Sequence, residues 1–222
     1  MSVDIYEALG PLHLLVAGSA GGHAQTLRML FALDRRCADI CRSTTEAMIG
    51  QMRLAWWRDA LAAGEGATPQ RGEPLLDELR VHPSFDALQP HLARIIDGWE
   101  EFVADPLAQD TGLLAFARGR GGGLFGGYVA ATGHPAEQDA LTQAGAVWAL
   151  WDLAGHVRDP GLRDRAVALA SGLQDGASPH LPKPLAILAR LSRADIARGW
   201  PAPPHMTPGL YLRVLGAQIL GR

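Results

Sequence analysis

Apolar side chains at Leu27, Leu30, Phe31, Leu33, Cys37, Ile40 and Cys41 recur at steps of three and four residues. That interval stacks side chains along one face of an α-helix and has no counterpart on a strand. The stripe predicts a helix from about His23 to Cys41. Ser43, Thr44 and Thr45 then offer N-caps for a second helix, which carries Met48, Ile49, Met52, Leu54, Ala55, Trp56 and Leu61 and stops near Gly64.

The same reading continues to the end of the chain. A Gly- and Pro-containing stretch over 64–74 leads to a short helix at Leu75 to Arg80, and Pro83 with Ser84 opens a longer one from Phe85 to Ala104. A helix from about Ala108 carries Leu113, Leu114, Phe116, Leu124, Phe125, Tyr128 and Val129, with glycines at 119, 121, 122, 123, 126 and 127 crowding its middle, where a break is expected. Beyond Gly133 and Pro135 a strongly apolar helix, Ala136 to Val157, reads as the centre of a bundle. Leu162 to Leu173, Pro182 to Ala197 and Pro208 to Leu220 complete the set. With no strand or repeat in view the class is all-α, and 222 residues at 48% hydrophobic and 19% charged suit one domain over 1–222 with its own core.

Charge and cysteine content exclude several classes. A net charge of -3, with basic residues scattered along the chain, gives no attraction for a phosphate backbone, so nucleic acid is not an expected partner. Cys37 and Cys41 are the two cysteines, and no histidine lies close in sequence to complete a zinc site, so buried reduced thiols are expected. The stretch Met1 to Gly18 carries Asp4 and Glu7 but no Lys or Arg, unlike a secretory leader. No segment reaches the roughly 18 to 20 apolar residues of a membrane span. A cytoplasmic protein is expected. The one hint of peripheral membrane contact is the apolar stretch Leu210 to Leu220, with Arg213 and Arg222 nearby, whose apolar face suits a core equally well.

The segment Met29 to Leu61, MLFALDRRCADICRSTTEAMIGQMRLAWWRDAL, resembles the squalene/phytoene synthases and their bacterial relatives. Its most specific part is Ile49-Gly-Gln-Met-Arg-Leu-Ala-Trp-Trp-Arg-Asp-Ala-Leu61. Looser likeness extends over Leu27 to Asp159, through Ile95-Ile-Asp-Gly98, the glycine-rich run Phe116 to Gly127 and the apolar helix Gly145 to Asp159. The resemblance implies an isoprenoid synthase fold, a single helical bundle around a hydrophobic cavity that accepts prenyl chains. It also implies head-to-head joining of two prenyl diphosphates, with two aspartate-rich motifs on facing helices holding magnesium. Carboxylates suit that task because magnesium takes oxygen ligands, and the cation stabilises the departing diphosphate.

The motifs depart from that pattern. In the first, the family's paired aspartates and a third three residues on fall at Ala38, Asp39 and Arg42, so one carboxylate remains and a cation replaces another. Asp34 is near in sequence, but five residues from Asp39 turns it off the same face. In the second, a D-x-x-x-D pair is expected, and the chain has Asp152 and Asp159 seven apart with His156 four after Asp152. Asp39, Asp152 and His156 are the metal-ligand candidates, although Asp152 with His156 is more often a structural hydrogen-bonded pair.

Arg53, Trp56, Trp57 and Arg58 match the family most closely, and with Tyr128 they are the candidates for lining a cavity or meeting a diphosphate. The alternative is that the tryptophans pack a core and the arginines form surface ion pairs; adjacent helical residues point about 100° apart, so at least one tryptophan is expected inside. Arg118-Gly-Arg-Gly-Gly-Gly123 lacks the ending of a phosphate-binding loop, and its glycines are expected to admit a neighbouring backbone.

The expected function is therefore a catalytically impaired relative that binds an isoprenoid, a lipid or a protein partner. It resembles the family's complex I assembly factor branch, whose members share the bundle with eroded aspartates. The alternative is a working magnesium-dependent prenyltransferase. Magnesium is expected only in that second case.

Overall fold

Ten α-helices and no strand make up the described residues, 5–63, 73–104, 109–174 and 180–220, of the computed structural model. They are α1 (Pro11–Gly18), α2 (Ala24–Ser43), α3 (Ala47–Ala62), α4 (Pro74–Arg80), α5 (Phe85–Val103), α6 (Asp110–Thr132), α7 (Gln138–His156), α8 (Pro160–Gly172), α9 (Lys183–Ile196) and α10 (Pro208–Leu220). The expected helix start at Ala108, most of the 64–74 stretch, and Asp4 and Arg222 lie outside the described residues.

Helices α5, α6 and α7 pack side by side at the centre. α2 crosses α5 and α6, α3 lies on α5, α8 and α9 flank α7, and α10 packs on α9 and α1. Trp148, Trp151, Phe31, Phe116 and Phe125 are the largest fully buried side chains, and all belong to one continuous apolar cluster.

Two local expectations change. α6 runs unbroken through its glycines, because they lie in the contact with α5 and α7. A Cβ on Gly121 would overlap the carbonyl of Gly145 on α7, and one on Gly145 would overlap that of Gly121. Two helices whose backbones touch gain dispersion contacts and desolvation that outweigh the poor helix propensity of glycine. The helix ends where Gly133 takes a left-handed φ of 66°, ahead of Pro135.

The second change is at the start of α3. Its N-cap is Glu46, which makes no side-chain capping bond. The Ser43 and Thr44 hydroxyls instead donate back to the Ile40 carbonyl at the end of α2 and accept from Arg53. α1 is a helix that the residue pattern did not predict; it is short, and its apolar run includes His13, whose ring lies 4.6 Å from that of Phe31.

Candidate functional site

Asp34 on α2, Arg120 on α6 and Asp152 on α7 meet inside the bundle. The Arg120 Nε and Nη2 donate to the two carboxylate oxygens of Asp34 at 2.7 and 2.8 Å, and Nη2 also donates to Asp152 Oδ2 at 2.6 Å. The Trp99 indole N–H on α5 donates to Asp34 Oδ1 at 2.8 Å. The guanidinium carbon lies 4.9 Å from the Trp99 ring centroid and 4.8 Å from that of Trp148, so the cation rests against two aromatic faces.

This arrangement comes from the packing of α6. Gly119 and Gly121 let α5 and α7 close on either side of Arg120, leaving its side chain 4% exposed between them. Burial alone disfavours its charge, but the Asp34 and Asp152 carboxylates raise the guanidinium above its ordinary value. For Asp152, burial pushes the carboxyl up, and Arg120, His156 and His13 together pull it below the usual carboxylate range. The His13 ring is moved down by burial against the partly opposing charges of Asp152 and Asp34. A fork of donors that cannot lose its proton thus spans both carboxylates inside the bundle and favours the charged form of Asp152.

The other carboxylates of the two motifs go elsewhere. Asp39 faces outward on α2, where Arg35 and Arg42 donate to it at 3.1 and 2.5 Å and hold it below the usual carboxylate range against the opposing effect of partial burial. Asp159 caps α8, its Oδ1 accepting from the Leu162 N–H at 2.6 Å ahead of Pro160. His156 Nδ1 lies 2.8 Å from the Asp152 carbonyl oxygen and 3.5 Å from its Oδ1, an intrahelical arrangement. Among the described residues no three of His, Cys, Asp or Glu stand together as metal ligands would. The described side chains, as they are placed, therefore do not fit a magnesium cluster of the kind the resemblance implies.

The Arg-Leu-Ala-Trp-Trp-Arg segment lies on α3. Trp57 is buried and Trp56 half-exposed, their rings edge to face at 5.5 Å. Arg58 bridges to Asp97 at 2.5 Å and to Glu100, both on α5, and Arg53 donates to Ser43 and Thr44 at 3.2 and 3.3 Å. Tyr128 is buried on α6, with burial moving its hydroxyl pKa up. Of the sequence-derived candidates, Asp152 and His156 stand at the buried cluster. Arg53, Trp56, Trp57 and Asp39 border grooves on the outer side of α2, and Arg58 ties α3 to α5.

Arg120 is the residue that sequence reasoning passed over. It stands inside a run read as glycine packing, and the available signal was a lone charge between two glycines that both touch neighbouring helices. Cys37 and Cys41 are free, and burial pushes both thiols up, Cys41 to about 12. At pH 8 a thiol of that pKa is ionised to roughly one part in ten thousand. Neither cysteine is expected to react with an aromatic disulfide reagent in the native protein over minutes, and both in urea; rapid native labelling of one would contradict this environment.

The described residues contain no helix long and apolar enough to cross a membrane. Searches of curated proteins and of solved structures find no match. The model of the squalene/phytoene synthase family matches residues 22–174, which takes in α2 to α8 and all four members of the Asp34–Trp99–Arg120–Asp152 cluster. On that match, over more than two thirds of its length, the chain belongs to the squalene/phytoene synthase family.

Proposed function

We propose that this squalene/phytoene synthase-like chain has moved away from diphosphate ionisation and works by binding. The ligand is an isoprenoid or another lipid, or the bundle serves respiratory complex assembly, as in the branch it resembles. The observation that carries this reading is the Arg120 guanidinium standing between Asp34 and Asp152.

Magnesium needs several oxygen ligands at about 2.1 Å in near-octahedral array. Here both Asp34 oxygens and one from Asp152 are already engaged by a buried cation. A divalent ion on the same carboxylates would lie beside a positive charge that cannot be deprotonated, at distances where a low-dielectric interior screens little. Asp39 and Asp159 are committed to surface arginines and to a helix cap. The four carboxylates thus serve three separate tasks, and none resembles a shared metal site.

Purified protein given farnesyl or geranylgeranyl diphosphate with magnesium or manganese, with and without NADPH, is expected to release no diphosphate above background while binding a prenyl chain or lipid saturably. Metal-dependent release that disappears in Asp39→Ala would establish a prenyltransferase and overturn the reading. Asp39 is half-exposed and its ion-pair partners are the surface arginines Arg35 and Arg42, so that variant is expected to fold.

A further inference from the structure

His134 and His180 stand 46 residues apart in the chain, a separation that no local spacing connects. The fold brings their rings together at the surface. His134 Nε2 lies 3.2 Å from His180 Nδ1, with the ring planes 6° apart and the ring centres 5.2 Å apart. Both rings are carried on restrained backbone. The His134 N–H donates to the Val129 carbonyl at 3.3 Å, closing the end of α6 beyond Gly133, and Pro135 restricts the His134 backbone from the other side. His180 is followed by Leu181, which packs on the apolar cluster, and by Pro182, the N-cap of α9.

Among the described residues neither side chain has another hydrogen bond or ion pair. A lone hydrogen bond between two exposed imidazoles contributes little, because water serves either ring nearly as well. The same placement suits two ligands of one ion. A transition metal about 2.05 Å from each nitrogen, at the tetrahedral angle, sets the nitrogens about 3.3 Å apart and the ring centres about 5.2 Å apart. Imidazole is a ligand for zinc, copper and nickel, whereas magnesium takes oxygen. Each neutral ring offers one lone pair. With the protons on His134 Nδ1 and His180 Nε2, both inner nitrogens are free to bind, so one ring changes tautomer and no net proton is released.

We propose that His134 and His180 together bind a zinc ion. No third His, Cys, Asp or Glu among the described residues joins them, so water fills the remaining positions. Structural zinc sites take four protein ligands and catalytic ones three, so an ion held by two is exchangeable. Once bound, it ties the α6–α7 turn to the segment ahead of α9. The site shares no residue with the Asp34–Arg120–Asp152 cluster and holds for a catalytic and a non-catalytic bundle alike.

The test is calorimetric titration of the full chain, carrying no affinity tag, with zinc sulfate at neutral pH. One zinc ion per chain is expected, in the micromolar range, and magnesium sulfate is expected to give no binding heat. His134→Ala and His180→Ala are each expected to weaken zinc binding about tenfold or more. His156→Ala, on the far side of the sequence-derived Asp152–His156 pair, is expected to leave it unaltered. Zinc is also expected to raise the thermal unfolding midpoint of the wild type and not of the two alanine variants, whose midpoints in EDTA match the wild type because both rings are at the surface. Absence of zinc uptake would overturn the proposal and leave the pair as a hydrogen bond alone. Uptake unaltered in both single variants, or lost in His156→Ala, would overturn it as well. None of these readouts depends on turnover or on lipid, so they fail or succeed separately from the diphosphate-release and prenyl-binding assays.

Discussion

Arg120→Met is expected to lower the free energy of unfolding by about 3–5 kcal/mol, the usual cost of removing one partner from a buried ion pair. Methionine fills much of the arginine volume, so the loss is electrostatic. Asp34 and Asp152 are left facing each other with no cation between them, and only the Trp99 N–H still donates to one of them. The triple change Arg120→Met, Asp34→Asn, Asp152→Asn is expected to recover most of that loss, because no charge then remains unpaired in the core. Urea denaturation of the three proteins at neutral pH checks both statements; equal stability of Arg120→Met and wild type would mean the carboxylates find water, and the core is not dry.

The same cluster sets an acid limit. Asp152 is held below the ordinary carboxylate value, so its contribution is fully present above the unfolded pKa of about 3.8 and is lost as pH falls below it. His13 is held below its ordinary value of 6.5, so the unfolded chain takes up that proton first and stability begins to fall as pH drops through that value. Both groups act in the same direction, and neither costs stability toward alkaline pH.

Gly121→Ala is expected to destabilise the protein by about 3 kcal/mol or more, at the upper end of overpacking costs. The added methyl meets the backbone of α7 at Gly145, not a side chain that can rotate away, so the two helices must separate along the seam that also holds Arg120. Gly216→Ala on α10, where nothing lies within 4 Å, is expected to stabilise by roughly 0.5–1 kcal/mol through helix propensity alone. Thermal or urea unfolding of the pair should give shifts of opposite sign; a neutral Gly121→Ala would mean that the α6–α7 contact is looser than this geometry.

Helices α2 and α5 were legible because each carries its own periodicity. Those expected from His23 and Phe85 lie within two residues of α2 and α5 at both ends. The divergence of Asp34 and Asp39 was legible too, since five residues on a helix turn the two carboxylates to different faces. Arg120 was hidden because its partners come from α2, α5 and α7, and no local spacing records such a meeting. The α6 glycines gave a mixed signal. Their crowding argued for a break on propensity, and their role in admitting another backbone argued for packing. The second effect prevails because glycines on α6 meet glycines on both neighbours, Gly98 on α5 and Gly145 on α7.

A seam of bare backbone fixes an alignment only where its glycines fall. Along the rest of α6 and α7 the Phe125 ring set against that of Trp148 marks the same offset from the apolar side. Arg120 adds a polar mark to these. Moving α6 along by one residue would carry the guanidinium about 100° around its axis and away from both carboxylates. The charged trio thus acts as a dowel: any other alignment would leave a cation and two carboxylates without partners in the interior, a cost that falls on misaligned packings and not on this one.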